Sequence, residues 1–567
     1  MKTNTVTISF FLTMICMSLL SAAQADSGNV TEARVLKEST TGQNWFLKGG
    51  DFTGQHYSPL KLIDDANVDE LGLAWSTDLP IPDGVSTTPI VVDGVIYLSG
   101  AYSIVLAIDA VSGDLVWAYR RDLPDDVYDM VGGNARGNRN IAIYDRFIVN
   151  TTDDDYFLGL DAVTGEVAWE TEIFDYQVNP AGHSSGPIIA AGKAISGRSC
   201  RPMGGPETCV VIAHDARTGE ELWRRSTVPR PGEPGDETWG GVPWEQRIHV
   251  GTWMPASYDP ELRLIYQGTS VTSPAPKFML GGVDNTHLYH NSTLALDVET
   301  GEIRWYYQHL NDHWDLDHPF ERMLVDTAVA PNPDTVAWIN PRLQPGETRK
   351  VVTGIPGKTG VVYTLDRETG EFLWATPTIT QNVISDIDGA TGEVTGNAEV
   401  TFTRMGQEVL SCPGWGGGKN WPAGAYSPLT NTMYIPMQNM CARVLSTETD
   451  PDRLELYQLA ARFELAPGKE DRGSIWAISA ETGETTWLYE QPAGTQAVVA
   501  TGGGLVFGGG ANGRFRAFDQ ETGAVLWEIN LGSPVLGFPI TYEVDGKQYV
   551  VASTGDQNNL FVFALPN

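Results

Sequence analysis

The stretch Ala107-Ile-Asp-Ala-Val-Ser-Gly-Asp-Leu-Val-Trp117 is one of seven copies of a single pattern. Each copy has a small residue, an Asp two positions later (Ser479 in one copy), a glycine, and a Trp ten positions from its start. The glycine predicts a turn that requires positive φ, and the Asp predicts a hydrogen bond to the turn backbone. The copies lie at residues 107–117, 159–169, 213–223, 295–305, 364–374, 477–487 and 517–527.

A second predicted hairpin precedes most copies, for example at residues 90–97 and 505–516. Each unit then has three or four short strands, and the Trp is expected to cover the small residue of a neighbouring unit. Radial repetition of such units is typical of an all-β fold, the β-propeller.

The two ends of the chain supply fragments of one further unit. Trp75 has no turn motif before it, and residues 560–564 resemble a strand with a small residue, Ala564, after which the chain stops. We therefore predict that the strand of Trp75 joins the C-terminal strands in one blade, which closes a ring of eight blades.

The first 25 residues have the pattern of a secretory signal. Lys2 precedes an apolar run at residues 8–20, and Ala23-Gln24-Ala25 is a small-x-small cleavage pattern. We predict a signal peptide at residues 1–25 and one propeller catalytic domain at residues 26–567, in a periplasmic or secreted protein. The apolar run is short for a membrane span.

Four cysteines remain after the signal: Cys200, Cys209, Cys412 and Cys441. An oxidising compartment favours the local disulfides Cys200–Cys209 and Cys412–Cys441. A four-cysteine zinc site is the alternative, although no C-x-x-C pair is present. The absence of C-x-x-C-H indicates that no c-type haem is attached to this chain.

The net charge of −34 argues against nucleic acid or an anionic membrane as a partner. It suits a basic partner protein, and a solvated acidic surface is the alternative explanation.

Trp314-Asp315-Leu316-Asp317 places two carboxylates two residues apart. In an extended segment their side chains point to the same side, so they can share a cation or raise one another's pKa. The alternatives are a turn cap or a pair with Arg322. Two intervals between Trp motifs, 223–305 and 374–487, are long, and loops of that length in a regular repeat are usually functional.

These features together resemble the periplasmic quinoprotein alcohol dehydrogenases. The resemblance rests on the Trp repeat, the Trp-Asp-x-Asp segment, Gly418-Lys-Asn-Trp421 and the run from Lys358 to Asp366. It implies an eight-bladed propeller that binds pyrroloquinoline quinone (PQQ) and a metal ion at its axis.

The resemblance also assigns roles to residues. Asp315 matches the catalytic base, and Asp317 the extra carboxylate of lanthanide-using members. Trp253 matches the ring on which PQQ stacks, Lys358 the lysine at the quinone oxygens, and Arg139 the arginine at a cofactor carboxylate. The polar and aromatic positions near the cofactor are Thr152, Ser184, Asn420 and Trp421.

The metal shell departs from the family pattern. In place of the usual Asn, Thr272, Ser273 or a water molecule is expected to contribute an oxygen, and Glu207 is the nearest candidate for the metal-binding Glu. Hard oxygen ligands favour Ca²⁺ or a lanthanide ion. Asp315 and Asp317 are therefore expected to bind the metal together with Glu207 and Thr272.

The expected activity is oxidation of an alcohol to an aldehyde or ketone, with electrons passed to an external cytochrome c. The alternative function is a non-catalytic propeller scaffold in outer-membrane protein assembly, in which Asp315, Lys358 and Trp253 have no chemical role.

Overall fold

The computed structural model describes residues 28–82, 85, 87–132, 138–200, 204–311, 314–448, 457–555 and 558–566. The predicted signal peptide at residues 1–25 lies outside this range. The described residues form two α-helices, Glu32–Thr41 and Val127–Val131, and are otherwise built from strands, short 3-10 helices and loops. None of the helices in these ranges is long and apolar enough to cross a lipid bilayer.

Sheets A to D each contain four antiparallel strands in chain order. Sheet A comprises Ile90–Val92, Val95–Gly100, Ile104–Asp109 and Leu115–Tyr119. Sheet B comprises Ala142–Tyr144, Phe147–Thr151, Tyr156–Asp161 and Val167–Glu172. Sheet C comprises Ile188–Ala190, Lys193–Gly197, Val210–Asp215 and Glu221–Ser226. Sheet D comprises Ser257–Asp259, Leu264–Gly268, Ser292–Asp297 and Ile303–Gln308.

Sheets E to H continue the series with one additional strand in E and one in G. Sheet E comprises Met323–Val329, Glu347–Thr353, Val361–Asp366, Phe372–Pro377 and Trp338–Ile339. Sheet F comprises Ala425–Ser427, Thr432–Gln438, Gly473–Ser479 and Thr485–Gln491. Sheet G comprises Tyr57–Ser58, Thr495–Thr501, Leu505–Gly510, Arg514–Asp519 and Val525–Asn530. Sheet H comprises Ile540–Val544, Lys547–Ser553, Asn559–Ala564 and Gly72–Asp78.

Three smaller sheets lie in the connections between these units. They pair Ala181–Gly182 with Ser199–Cys200, Ile384–Ile387 with Val394–Gly396, and Met440–Ser446 with both Glu408–Ser411 and Leu459–Leu465. Disulfides join Cys200 to Cys209 and Cys412 to Cys441, as predicted. All four cysteines of the predicted mature chain are thereby used, so none remains for a zinc site.

The repeated turn has the predicted conformation. The seven motif glycines have φ between 68° and 79°. Oδ1 of Asp109 accepts hydrogen bonds from the backbone N–H groups of Val111 and Ser112, at 2.9 and 2.8 Å. The equivalent Asp residues do the same in the other copies, and Ser479 accepts one such bond at 3.1 Å. The side chain therefore fixes the turn, and the glycine supplies the left-handed conformation.

Each motif Trp contacts its own unit and the next one. The small residue of its own copy lies directly opposite in the sheet, as Ala107 lies opposite Trp117. The neighbouring unit contributes its turn glycine, because a Cβ on Gly165 would lie 2.7 Å from the Trp117 ring. The expectation that the Trp covers the small residue of a neighbouring unit was therefore wrong. A glycine leaves the space into which the indole packs, which explains why both residues recur.

The same contact runs through the whole series of sheets. Trp75 packs on Gly113, and Trp487 on Gly523. The last indole, Trp527, donates to the carbonyl of Leu71 at 3.0 Å, next to the strand that carries Trp75. That strand, Gly72–Asp78, pairs with Asn559–Ala564, so the two ends of the chain share sheet H. The chain thus has the repeated, Trp-docked sheets of a β-propeller.

An N-terminal segment, residues 45–58, crosses the first strands of several sheets. Four of its carbonyls accept backbone hydrogen bonds at distances from 2.8 to 3.1 Å. The bonded pairs are Phe52 with Tyr258, Thr53 with Leu324, Gln55 with Tyr426, and His56 with Ala500. These acceptors reach sheets D, E, F and G in turn. The segment is therefore fixed in the interior, where it carries Lys48 and His56.

The Trp–Gly contact predicts the effect of adding one methyl group. A Cβ on Gly301 would lie 2.5 Å from Trp223, whereas Gly94, also at positive φ, has nothing within 4 Å. We expect Gly301→Ala to lower the free energy of unfolding by about 2 to 5 kcal/mol, from backbone strain plus overpacking. The matched control Gly94→Ala should cost about 1 to 2 kcal/mol, from strain alone. Denaturant titrations would measure both; equal losses would show that the indole contact contributes nothing.

Candidate active site

The two carboxylates of the Trp314–Asp317 segment converge on one lysine. Nζ of Lys358 lies 2.5 Å from Oδ1 of Asp315 and 3.3 Å from Oδ2 of Asp317. All three side chains are buried. One positive charge therefore faces two negative charges, and the cluster keeps a net charge of −1 that favours a further cation.

Asp317 is held by two additional donors. Trp253 Nε1 donates to its Oδ2 at 3.2 Å, and the backbone N–H of Val271 donates to its Oδ1 at 2.9 Å. Burial alone would raise the pKa of Asp317, but the charge of Lys358, aided by His249 and the Val271 N–H, holds that pKa below its ordinary value. Burial likewise opposes the charge of Lys358, but Asp315 and Asp317 outweigh it and raise the pKa of the lysine.

Arg322 holds the backbone of this segment by hydrogen bonds. It is not an ion-pair partner of Asp315 or Asp317. It is fully buried and donates to the carbonyl of His318 at 2.7 Å and to Oγ1 of Thr293 at 3.0 Å. The carbonyl of Leu316 accepts from Nδ2 of Asn291 at 3.1 Å. These bonds fix the backbone on which Asp315 and Asp317 stand, so the simple Arg322 pairing was wrong.

Aromatic side chains lie beside the carboxylates. The ring of Trp253 packs edge-to-face on Phe320 at 5.3 Å, and the ring of Trp421 lies 5.8 Å from Phe538. The guanidinium of Arg139 lies 5.0 Å from the Trp253 ring and 5.7 Å from the Trp421 ring. One cation therefore joins the two indoles that the sequence placed near a flat ligand.

The other predicted cofactor residues adjoin Arg139. Its backbone N–H and its Nη1 both donate to the carbonyl of Ser184, at 3.1 and 3.2 Å. Asn138 Nδ2 donates to the carbonyl of Thr151 at 2.6 Å, which ties this segment to Thr152. The Thr152 hydroxyl accepts from the N–H of Tyr156 at 3.0 Å, so it also closes a local turn.

The loop with Asn420 and Trp421 contacts Lys358 through its backbone. The N–H of Gly418 donates to the carbonyl of Lys358 at 2.9 Å. Oδ1 of Asn420 accepts from the N–H of Trp421 at 2.8 Å, and its Nδ2 donates to Gly416 at 3.3 Å. The Cys412–Cys441 disulfide holds the start of the loop. The structure thus brings together Asp315, Asp317, Lys358, Trp253, Arg139, Ser184, Asn420 and Trp421.

The structure adds two lysines and a glutamate that the sequence did not single out. Lys419 Nζ lies 2.6 Å from Glu321 Oε1 and 5.7 Å from the Phe320 ring, and Lys48 lies 5.3 Å from the Phe538 ring. Burial lowers the pKa of Lys48 to about 8 against the attraction of Glu321. A lone lysine in the apolar run Trp45-Phe-Leu-Lys48 was the available signal for this residue.

The predicted metal ligands are only partly assembled. Glu207 is exposed on the short turn Pro206–Thr208, where it pairs with Arg230 at 2.8 Å and accepts from Trp244 at 3.3 Å. It is therefore not brought to Asp315 and Asp317, because the turn beside the Cys200–Cys209 disulfide directs it outward. Thr272, next to Val271, is buried, and its hydroxyl has no hydrogen-bond partner among the described residues. Within those residues, no group of three or more His, Cys, Asp or Glu is arranged to hold a metal.

The PQQ family model, described as the glucose/ethanol/alcohol dehydrogenase β-propeller domain, matches residues 45–395 and 482–550. The chain belongs to the PQQ-dependent alcohol dehydrogenase family. Among curated family members it is 32% identical to quinohemoprotein alcohol dehydrogenase ADH-IIG of Pseudomonas putida, covering 93% of this chain and 74% of that protein. This membership confirms the resemblance that the Trp repeat and the Trp-Asp-x-Asp segment indicated.

Solved structures of PQQ-family enzymes share the fold. The quinohemoprotein alcohol dehydrogenase from Comamonas testosteroni superposes with a TM-score of 0.84 at 28% identity, covering 96% of this chain and 84% of that one. A europium-containing methanol dehydrogenase superposes with a TM-score of 0.83 at 25% identity, covering 94% of this chain and all of that one. The all-β propeller fold therefore agrees between sequence, structure and relatives.

Replacing Lys358 with an uncharged residue should destabilise the fold, because Asp315 and Asp317 would then be buried without their cation. In Lys358→Met, two buried carboxylates lose their cation, so we expect a loss of about 3 to 5 kcal/mol in the free energy of unfolding of the metal-free protein. The double variant Lys358→Met/Asp317→Asn should recover part of it.

Acid denaturation provides the matching check. Because the folded-state pKa of Asp317 is lowered, its stabilising contribution is present above the ordinary carboxyl pKa and is lost as the pH falls below it. Melting curves recorded with chelator at several pH values would measure the stability of the wild type and of both variants. A Lys358→Met protein as stable as the wild type would contradict the charge pairing of Lys358 with Asp315 and Asp317.

Proposed function

We propose that this protein oxidises an alcohol to an aldehyde or ketone, with PQQ bound against Trp253 and with Ca²⁺ or a lanthanide ion at Asp315 and Asp317. The observation that carries the proposal is the buried cluster of Asp315, Asp317 and Lys358, hydrogen-bonded to Trp253. Family membership supports the same chemistry.

The surroundings of the tryptophans fit an anionic, planar cofactor. PQQ is a flat tricarboxylate, so it requires aromatic faces and cationic partners. Arg139 lies over the rings of Trp253 and Trp421, Lys48 over Phe538 and Lys419 over Phe320, so three buried or half-buried positive charges line these rings. Lys419 is paired with the carboxylate of Glu321. Nε of Arg139 is buried and has no hydrogen-bond partner among the described residues. Arg139 with Ser184 and Thr152 would hold the cofactor carboxylates, and Lys358 and Asn420 the quinone end.

The carboxylate pair also fits a hard cation. Asp315 and Asp317 offer oxygen ligands in a cluster of net negative charge, and Thr272 on the adjoining segment offers a hydroxyl that no other described residue bonds. Oxygen-only ligands favour Ca²⁺ or a lanthanide over softer metals. Glu207 has no part in this site.

The residues have separable roles in the reaction. When bound, PQQ would supply an acceptor for the hydride of the carbinol carbon, and the metal ion would supply a Lewis acid. Oδ of Asp315 takes the hydroxyl proton of the alcohol. Lys358 keeps Asp315 ionised beforehand, since an adjacent positive charge stabilises the carboxylate. Trp253 Nε1 and the Val271 N–H orient Asp317.

The proposal includes the architecture of the whole domain. Residues 26–567 form one catalytic domain in which sheets A to H are the eight blades of a closed ring. The succession of Trp–Gly contacts supports this ring, and the bond from Trp527 to Leu71 would join its last and first members. The strand pairing of Gly72–Asp78 with Asn559–Ala564 supports the same closure.

The sequence supports the proposed location and electron acceptor. Residues 1–25 would direct export, which places the enzyme in the periplasm or outside the cell. The net charge of −34 would attract a basic acceptor such as a soluble cytochrome c. The scaffold alternative has less support, because it leaves the buried cluster at Asp315, Asp317 and Lys358 without a purpose.

Reconstitution tests the proposed activity. Purified protein should gain dye-linked oxidation of an alcohol panel when PQQ is added with Ca²⁺ or La³⁺, and chelator should remove that activity. Protein without PQQ serves as the control. If PQQ with either metal gives neither activity nor bound-cofactor absorbance, the proposal is wrong and the scaffold alternative gains support.

Asp315→Asn tests the assignment of the base. The amide keeps the shape of the side chain but cannot take the alcohol proton, so kcat should fall by at least about 100-fold. PQQ binding, measured by absorbance titration, should change little. A variant that retains wild-type turnover would remove Asp315 from the role of base.

A further inference from the structure

A groove lies where the two long intervals between Trp motifs, residues 223–305 and 374–487, meet. Residues 283–286 of the first interval and residues 391–403 of the second form its walls, and residues 306–311 lie between them. We call this the insert groove. Its volume is about 840 Å³, which lies within the usual range for small-molecule sites.

Hydrogen bonds between its segments hold the groove in shape. Tyr307 OH donates to the carbonyl of Gly392 at 2.7 Å, which joins the floor to the second interval. Gln308 Nε2 donates to the carbonyl of Thr286 at 2.9 Å, which joins the floor to the first. Both walls are thus fixed on sheet D, so a ligand would meet a preformed surface and lose less entropy on binding.

The lining selects against anions. Among the described residues that line the groove, none is Lys or Arg, and Asp284 and Glu393 add negative charge. Most of the remaining polar groups are hydroxyls of Thr residues and the amides of Gln308 and Asn311. Such groups can both donate and accept hydrogen bonds, which suits an uncharged ligand with many hydroxyl groups.

One aromatic ring stands open in the groove. Tyr306 is 45% exposed, although its edge-to-face contact with Tyr289 at 5.1 Å fixes the ring. An exposed and immobilised aromatic face is a platform for the apolar C–H face of a sugar ring. The equivalent residue of sheet F, Leu488, is also exposed but lies outside the groove.

The groove adjoins the segment that carries the proposed base. A small neighbouring pocket shares Gly396 and Thr401 with the groove and is lined by Trp314 and Leu316, which flank Asp315. Asn311, in the groove, precedes Trp314 by three residues. The groove is therefore next to the pocket that Trp314 and Leu316 line.

We propose that the insert groove binds a neutral polyhydroxylated chain, such as a linear oligosaccharide, with Tyr306 as the stacking platform. The site is separate from the proposed oxidation chemistry, since none of its lining residues belongs to the Asp315 cluster. Binding at the groove does not require the chain to be oxidised.

Calorimetric titration of the full-length mature protein tests this proposal with maltohexaose and cellohexaose as probes. At least one neutral hexasaccharide should bind saturably, and hexagalacturonate, which is anionic, should bind at least 10-fold more weakly. Tyr306→Ala should weaken neutral binding at least 10-fold, whereas the matched control Leu488→Ala should leave it unchanged. Equal melting temperatures would show that both variants fold.

A second variant covers the case in which Tyr306→Ala perturbs the sheet. Thr395 is an exposed residue of the groove wall, so Thr395→Arg should obstruct the groove without affecting the fold and should also abolish binding. The proposal is overturned if no neutral hexasaccharide binds at millimolar concentration, or if binding survives both substitutions. It is equally overturned if no saccharide binds the wild-type protein, and a basic cytochrome c binds it but does not bind Thr395→Arg. Because the readout is binding, these outcomes do not depend on whether PQQ supports activity.

Discussion

The packing of each motif Trp against the turn glycine of the next repeat is the contact on which the molecule depends. It joins each sheet to the next, and it requires glycine for two reasons, its positive φ and the space that a Cβ would fill. Once the sheets are held in series, their first strands are buried, and loops from distant parts of the chain meet over them. The Asp315 segment follows sheet D, Lys358 lies in the loop between the sheet E strands Glu347–Thr353 and Val361–Asp366, and the Asn420 loop leads into sheet F.

Charge organises the interior that this packing creates. At one end of the site, Lys358 is shared by Asp315 and Asp317, which leaves an excess of negative charge for a metal ion. Around the rings of Trp421, Phe538 and Phe320, Arg139, Lys48 and Lys419 outnumber Glu321 among the described residues, and this excess of positive charge suits a carboxylate-bearing cofactor. Unbalanced buried charges are costly unless a ligand compensates them. Because the net charge is negative at Asp315 and Asp317 and positive at the aromatic rings, an anionic cofactor that binds a metal ion would be favoured in one orientation.

The sequence predicts most of the fold because the fold is made of local, repeated signals. The turn glycines, the Asp caps and the two local disulfides all act over a few residues, and all were found as expected. The docking partner of each Trp was not predicted, since a repeat alone does not tell which atom of the next unit the indole meets. Lys48 was missed for a related reason, because it is carried into the interior by an N-terminal segment that crosses several sheets. Lys419 was missed because its partner Glu321 is distant in sequence. Glu207 was misplaced because a Gly-Gly-Pro-Glu context does not reveal that its side chain turns outward to Arg230.

The central claim, that Asp315 and Asp317 hold a metal ion beside PQQ on Trp253, can be tested by one crystallographic measurement. Crystals grown with PQQ and La³⁺ should show an anomalous peak in contact with both carboxylates and a planar density against the Trp253 indole. A peak confined to surface carboxylates such as Glu207, with no planar density at Trp253, would contradict the account.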